Sequence, residues 1–414
     1  MASEHIVIAG GGLAAATAAR TLRSEGFDGD VTMLCKELHY PYIRPPLSKG
    51  FLLGTEDQDS VPVLPRDWYA EHQVDLWLGT SVSALDVTGR TAHLSTAKSL
   101  NYTKLLLATG SIPRHPELPG AELKNVLTFR TLDDCLQLKE LLSPGGLNVV
   151  LVGSGWIGME LAAAARTFGN TATVLGRGPV PLAASVGTDI GSYLRGVHEA
   201  HGVRFVQGTA SRIAEGNADR AGAAAAVVTD SGEELPADVV VLAIGADPDV
   251  QLAAEAGIDV DNGVLTDESL RTSAPDVFAA GDIANALHPL TGQRYRSEHW
   301  DNALKGGKTV AKAMLGQGAQ HDAVPYFYTD QFEVSLEYSG FPSLVEGKPV
   351  LRGDADSGEF LAFWLRDGVL VAGLSINVPK VHKSIKALIS GRVPLDVNAL
   401  TDQDVPLDQL LPVG

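Results

Sequence analysis

The sequence predicts an α/β fold in which one unit of strand, glycine turn and helix occurs twice. Three observations carry this expectation. His5 to Ala9 (HIVIA) is an apolar run that passes through Gly10-Gly11-Gly12 into an alanine-rich helical stretch ending near Leu22. About 140 residues later Leu147 to Val152 (LNVVLV) enters Gly153-Ser-Gly155-Trp-Ile-Gly158, followed by a helix expected over Met159 to Phe168. Apolar runs closed by small residues, KLLLATG at 104–110 and VVVLAIG at 239–245, follow the two copies and read as further core strands.

Each glycine has a physical task. In Gly10-x-Gly12-x-x-Ala15 the second glycine lets backbone approach an anion while the amides of a helix N-terminus face it, and alanine is an accepted third residue. One such turn is weak evidence; two with correct flanks point to two dinucleotide sites. Asp30 to Leu34 reads as the next strand, with Glu37 near its end where a carboxylate would accept ribose hydroxyls or simply face solvent. Ser273 to Asp282 (SAPDVFAAGD) reads as a buried strand that presents Asp282.

A chain of 414 residues exceeds the size of one core, so two or three domains are expected. A formal charge of -18 argues against nonspecific nucleic-acid binding, which needs clustered cations. The two cysteines, Cys35 and Cys135, form no CxxC pair and show no Cys/His ligand spacing. No metal is expected, both thiols read as small hydrophobes, and the composition fits a reducing cytoplasm. No apolar run approaches the roughly 20 residues of a membrane span.

At this point the residues resemble a known family. Pro41-Tyr-Ile-Arg-Pro-Pro-Leu-Ser-Lys49, ATG at 108–110, GSGWIGME at 153–160, AAGD at 279–282 and EHWDNA at 298–303 are similar, in that order, to the FAD-containing ferredoxin reductases of ring-hydroxylating dioxygenases and haem monooxygenases. This is the putidaredoxin reductase and biphenyl dioxygenase ferredoxin reductase type, and the resemblance spans essentially the whole chain. It implies a glutathione-reductase-like fold: two Rossmann-like dinucleotide-binding domains plus a C-terminal α+β domain. The implied boundaries are 1–115 with 248–322 for FAD, 116–247 for NAD(P), and 323–414 for the interface domain.

The resemblance also implies roles. Gly10, Gly12, Leu13, Ala14 and Ala15 would form the FAD turn, with Glu37 on the ribose and Val82 among the cofactor contacts. Arg44 and Lys49 would lie along FAD, Lys49 near the reactive edge of the isoalloxazine, where a cation stabilises the anionic reduced ring. Ala108, Thr109, Gly110 and Arg114 would pass the adenine and pyrophosphate side. Gly281 and Asp282 would hold the ribityl chain or flavin phosphate, with Glu298, His299 and Trp300 toward the flavin's far edge. Gly153, Gly155, Trp156, Ile157 and Gly158 would form the second turn, with Ile244 and Gly245 beyond it and Glu160 aimed at the nicotinamide carboxamide. Lys49, Glu160 and Trp300 are the catalytic candidates. Against these stand blander readings: a surface salt bridge for Lys49, a helix-surface charge for Glu160, core packing for Trp300.

One departure bears on the nucleotide. The strand Ala172 to Leu175 ends in Gly176-Arg177 where NADH-dependent members carry an acidic residue, so Arg177 is available to a 2′-phosphate. Ala184 stands where the family has a second arginine, which leaves NADH and NADPH both open. The expected reaction moves a hydride from NAD(P)H to FAD and then single electrons to a 2Fe-2S ferredoxin. No general base is required, and His299 is read as packing. An acidic ferredoxin needs a basic docking patch, either Lys380, Lys383 and Lys386 on one helical face or Arg294, Arg296, Lys305 and Lys308. Alternatives are a rubredoxin as acceptor, a redox sensor resembling apoptosis-inducing factor, and an NAD(P)H oxidase or peroxidase, the last disfavoured without an evident peroxide-reactive cysteine.

Overall fold

The computed structural model describes residues 4–411 and divides into two compact units. Asp57–Ile112 and Asp247–Pro325 join the segment ending at Ile43 in the first; Arg44–Glu56 and Pro113–Ala246 join the segment from Tyr326 onward in the second.

The first unit is built on a parallel sheet in the order Val277–Ala279, Lys104–Leu107, His5–Ala9, Asp30–Cys35, Val74–Leu78. Its inner strands are covered on both faces, which is why they read as unbroken apolar runs rather than alternating ones. Ile6, Val7 and Ile8 are fully buried beside Leu105, Leu106 and Leu107. The helix Leu13–Ser24 starts immediately after Gly12. Helix Trp300–Met314 packs on it so closely that a Cβ at Gly307 would stand 2.6 Å from the Ala14 carbonyl oxygen.

The second unit repeats the plan: Val203–Gln207, Thr171–Gly176, Asn148–Val152, Val239–Leu242, Val126–Leu127, again parallel. The helix after its glycine turn runs Trp156–Thr167, three residues earlier than expected, because Gly155 is the N-cap and the third glycine, Gly158, lies inside the first turn. Helix Leu132–Leu142 begins with a capping box in which Thr131 and Asp134 satisfy each other's backbone amides.

The same unit carries an antiparallel sheet, ordered Tyr326–Gln331, Val334–Gly340, Val369–Ile376, Glu359–Arg366, Val350–Asp354. One core joins it to the neighbouring helices: Leu336, Tyr338, Phe360 and Trp364 pack with Met159, Ile190 and Leu194.

Candidate functional site

The first glycine turn is closed by its neighbour strand. Gly10 holds φ at +140°, and a Cβ there would lie 2.1 Å from the Ala108 carbonyl oxygen, so only glycine lets the turn and the Ala108-Thr109-Gly110 segment approach. Gly12 does the opposite: nothing lies within 4 Å of a Cβ built there, and no side chain caps the following helix. An open N-terminus with unsatisfied amides fits a pyrophosphate. Leu13 is half-buried, Ala14 and Ala15 are buried, and a Cβ at Gly281 would stand 3.1 Å from that of Ala14. The AAGD segment therefore comes to the same turn.

Around that turn, the Thr109 hydroxyl donates to the Asp249 carbonyl at 2.9 Å and Ser111 donates to Oδ2 of buried Asp282 at 3.0 Å. Glu37 follows the second strand and accepts from the Tyr42 hydroxyl at 2.6 Å, which turns its carboxylate in a fixed direction. Val82 opens the strand Val82–Asp86 and is half-buried. Glu298 is exposed and paired with Arg296 at 2.7 Å. His299 is the half-buried N-cap of the helix that Trp300 begins, and desolvation pushes its imidazole down, which suits packing better than proton transfer.

The second turn repeats the geometry residue for residue. Gly153 holds φ at +118° with its would-be Cβ 2.2 Å from the Ala243 carbonyl oxygen, beside Ile244 and Gly245, while Gly155 faces open space. Gly158 is required by packing, since a Cβ would lie 2.2 Å from the Gly153 carbonyl oxygen. Ile157 is exposed, and Trp156 meets the Phe327 ring edge-on at 4.6 Å. The Arg114 amide donates to the Gly245 carbonyl at 3.0 Å. Arg177 is exposed at the end of its strand with no ion pair to a described residue, and Ala184 lies in the first turn of helix Ala183–Ala200.

The strongest constellation of side chains lies around Glu160. It is buried, 5 % exposed, so it is not a helix-surface charge. Oε1 accepts from Lys49 Nζ at 2.8 Å and from the Thr329 hydroxyl at 2.5 Å, and Oε2 accepts from Ser48. Lys49 is also no simple surface partner: its side chain is 15 % exposed and its ammonium lies 5.4 Å from the Tyr328 ring centroid. Desolvation, with the Asp330 and Glu160 charges, pushes the Tyr328 phenol up to about 12. Arg44 donates to the Arg130 carbonyl at 2.5 Å, and the Cys135 thiol donates to the Leu47 carbonyl, so the stretch leading to Lys49 is anchored at Arg44 and Leu47. Ser48 and Thr329 were not candidates from sequence. Ser48 lies within the Pro41–Lys49 segment, whereas nothing in the local sequence marks Thr329 as a site residue.

The basic patches differ from expectation. Lys380 precedes helix His382–Gly391, in the left-handed region at φ +66°, so the three lysines do not share one helical face. Lys386 lies over the Tyr326 ring at 4.1 Å, and Lys383 is exposed. In the rival set Arg294 donates to the Thr266 and Asn285 carbonyls, Arg296 holds Glu298, and Lys305 holds Asp301 at 2.6 Å. Lys308 is exposed.

Burial pushes both Cys35 and Cys135 up to about 12, and neither is in a disulfide. Among the described residues no helix is long and apolar enough to cross a membrane.

Two dinucleotide turns on separate parallel sheets, without a pair of thiols, define an FAD- and nicotinamide-dependent oxidoreductase. Residues 4–307 match the pyridine nucleotide-disulphide oxidoreductase family and residues 326–411 the reductase C-terminal family. The chain belongs to the pyridine nucleotide-disulphide oxidoreductase family. It is 36% identical over 410 residues to the biphenyl dioxygenase system ferredoxin–NAD(+) reductase component of Paraburkholderia xenovorans, covering 99% of this chain and 98% of that one. It is 35% identical to a probable ferredoxin reductase of Castellaniella defragrans, over 99% of both. Its fold is similar to that in the covalent putidaredoxin reductase–putidaredoxin complex, with a TM-score of 0.95 at 30% identity, over 99% of this chain and 98% of the other.

Proposed function

We propose that this chain is the ferredoxin reductase of an oxygenase system, carrying electrons from NADH to a 2Fe-2S ferredoxin in the cytoplasm. The observation that carries the reading is the pair of matched glycine turns in a chain whose two thiols are single, buried and held as thiols. Electrons entering from a nicotinamide have no disulfide to receive them. Bound FAD would supply the exchange between hydride and single-electron chemistry.

The chain's own residues do the rest. Gly12 and Gly155 leave two sets of helix N-terminal amides open to pyrophosphates, and Gly10 and Gly153 set the turns against Ala108 and Ala243. Glu37, Asp282 and Ser111 supply the polar contacts of the FAD turn. Glu160 fixes where the Lys49 ammonium sits, and a cation so held would favour the reduced form of bound FAD. Trp300 would lie toward the far edge of bound FAD. Arg177 also admits NADPH, because no carboxylate at the strand end repels a 2′-phosphate. We place the FAD domain at 1–115 and 248–322, the NAD(P) domain at 116–247 and the C-terminal domain at 323–414.

The test is an anaerobic titration of the purified protein with NADH and NADPH, followed by electron transfer to a panel of small iron–sulfur proteins. The expected result is a yellow protein that bleaches with one equivalent of NADH and then reduces a 2Fe-2S ferredoxin over many turnovers. A protein that binds no FAD, or bleaches yet reduces no iron–sulfur protein, refutes the reading.

A further inference from the structure

We propose that the Glu160 carboxylate sets the direction of a buried hydrogen-bond relay running through Thr329 and Gln331 to His198, and that these three are positioning residues for Glu160. The inference rests on the reading of Glu160 as the partner of Lys49 at the reacting end of the second unit.

The four residues come from three elements, helix Trp156–Thr167, strand Tyr326–Gln331 and helix Ala183–Ala200. None is more than 5 % exposed. Thr329 and Gln331 are two residues apart on one strand and so face the same way. Thr329 donates to Oε1 of Glu160 at 2.5 Å, Gln331 Nε2 donates to the Thr329 hydroxyl at 3.0 Å, and Gln331 Oε1 stands 2.8 Å from His198 Nε2.

The polarity follows from what each group can do. An ionised carboxylate only accepts, so Thr329 spends its single proton on Glu160. Its oxygen can then only accept, which turns the Gln331 amide nitrogen toward it and the amide oxygen toward His198. His198 must answer with a proton on Nε2. Its Nδ1 is left as a buried acceptor with no hydrogen-bond partner, the cost of a tautomer imposed from the other end. Desolvation holds the ring neutral, pushed down to about 4, so only one nitrogen carries hydrogen at neutral pH. The titratable groups near the ring are His201 and Glu333.

Every donor in this set points to Glu160: Lys49, Ser48, and the relay. The carboxylate has no freedom to rotate away, and the ammonium it holds is fixed with it. Cutting the relay at Thr329 removes one of the two hydrogen bonds to Oε1 of Glu160 and leaves Lys49 alone on that oxygen, so the carboxylate and the ammonium it holds lose their fixed position while the turn at Gly155 is untouched.

The direct test uses protein labelled with 15N in its histidines, without nicotinamide or ferredoxin present. Ring nitrogen spectra should show His198 as the Nε2–H tautomer. In Glu160→Gln the new amide can donate to Thr329, the relay loses its obligatory direction, and the Nδ1–H form should appear. In stopped-flow mixing with NADH, Thr329→Val should slow flavin bleaching about tenfold with the dissociation constant for NADH within about twofold, and Thr329→Ser should restore the rate. If Thr329→Val does not fold, Gln331→Leu interrupts the relay one step further out and should give a smaller loss of the same kind. A wild-type ring protonated on Nδ1, an unchanged spectrum in Glu160→Gln, or bleaching at the wild-type rate in the interrupted variant overturns the proposal. Failure to find an acceptor ferredoxin would not, because neither readout uses one.

Discussion

The Lys49 ammonium lies 2.8 Å from Oε1 of Glu160, joining a loop residue to a helix 111 positions further along the chain. Both ends are largely sheltered, with side chains 15 % and 4 % exposed. Removing one partner of such a pair strands the other charge, at a typical cost of about 3–5 kcal/mol, whereas removing both does not. Lys49→Met should therefore lower the denaturant midpoint more than the double variant Lys49→Met/Glu160→Gln. Strict additivity of the two single changes, measured by chemical unfolding, would show that the pair carries no coupling.

The glycine turns separate stability from binding. Alanine at Gly10 or Gly153 meets a backbone carbonyl oxygen at 2.1 or 2.2 Å and must also hold a positive φ. Gly10→Ala should yield protein that retains little FAD and unfolds at lower temperature. Alanine at Gly12 or Gly155 meets nothing within 4 Å of its Cβ, so folding should be preserved. On the proposed reading, that methyl would occupy the space where the backbone approaches a pyrophosphate. Gly155→Ala should keep its flavin and its melting temperature while the dissociation constant for NADH rises about tenfold. Equal loss of melting temperature in Gly12→Ala and Gly10→Ala would contradict this division.

Both turns were legible because strand, glycine turn and helix follow one another within a short window. The carbonyls that Gly10 and Gly153 admit, those of Ala108 and Ala243, lie far along the chain, but each belongs to an apolar run that is itself readable as a strand. The Glu160 site was only half legible. Lys49 and Glu160 stood in separate motifs, and nothing in either says that the two side chains meet. Thr329 reaches Glu160 across 169 residues, so no window on the sequence contains the pair. The lysine stripe at 380, 383 and 386 misled because spacing of three assumes a helix, while the backbone at Lys380 is left-handed and the helix has not begun. Arginines 294 and 296 looked free because their acceptors, the Thr266 and Asn285 carbonyls and Glu298, are set by the folded sheet.

Arg177 is the residue proposed to set the choice of nucleotide. It is exposed at the end of Thr171–Gly176, and a Cβ at the preceding Gly176 would stand 2.5 Å from the Ser154 hydroxyl, so the guanidinium is the first side chain beyond the turn able to reach a 2′-phosphate. Arg177→Ala should lower kcat/KM for NADPH about tenfold and leave that for NADH within about twofold, since only the phosphate loses a charged hydrogen bond. A parallel fall with both nucleotides would instead mean stacking on adenine.

Buried histidines set an acid limit. Desolvation holds His198 and His321 down at about 4, against 6.5 for a free imidazole. The folded protein keeps both rings neutral, so the unfolded chain binds more protons as pH falls below 6.5. Stability that is fully present above pH 6.5 should be lost progressively toward pH 4, with each such ring contributing about 1.4 kcal/mol per pH unit. His321 meets Asn302 Oδ1 at 2.8 Å, and His321→Asn should flatten the dependence by one proton whatever it does to stability at pH 7. Unfolding free energies across pH 4.5–7.5 give the slope; an unchanged slope in the variant would assign the acid loss to other groups.

With a formal charge of -18, the chain can attract an acidic ferredoxin only through cations that are not already spent. Arg294, Arg296 and Lys305 hold internal acceptors, and Lys386 covers the Tyr326 ring. Lys380 and Lys383 are exposed. Lys380→Glu/Lys383→Glu should slow ferredoxin reduction several-fold at low ionic strength, with the difference shrinking as salt screens it over about 10 Å at 0.1 M. Ferricyanide reduction, which needs no docked protein, should stay within about twofold. Arg294→Glu strips two buried carbonyls of their donor and should lower thermal stability instead. Equal losses with ferricyanide and ferredoxin would remove the two lysines from docking, and a ferredoxin-specific loss in Lys308→Glu alone would move the surface to the other patch.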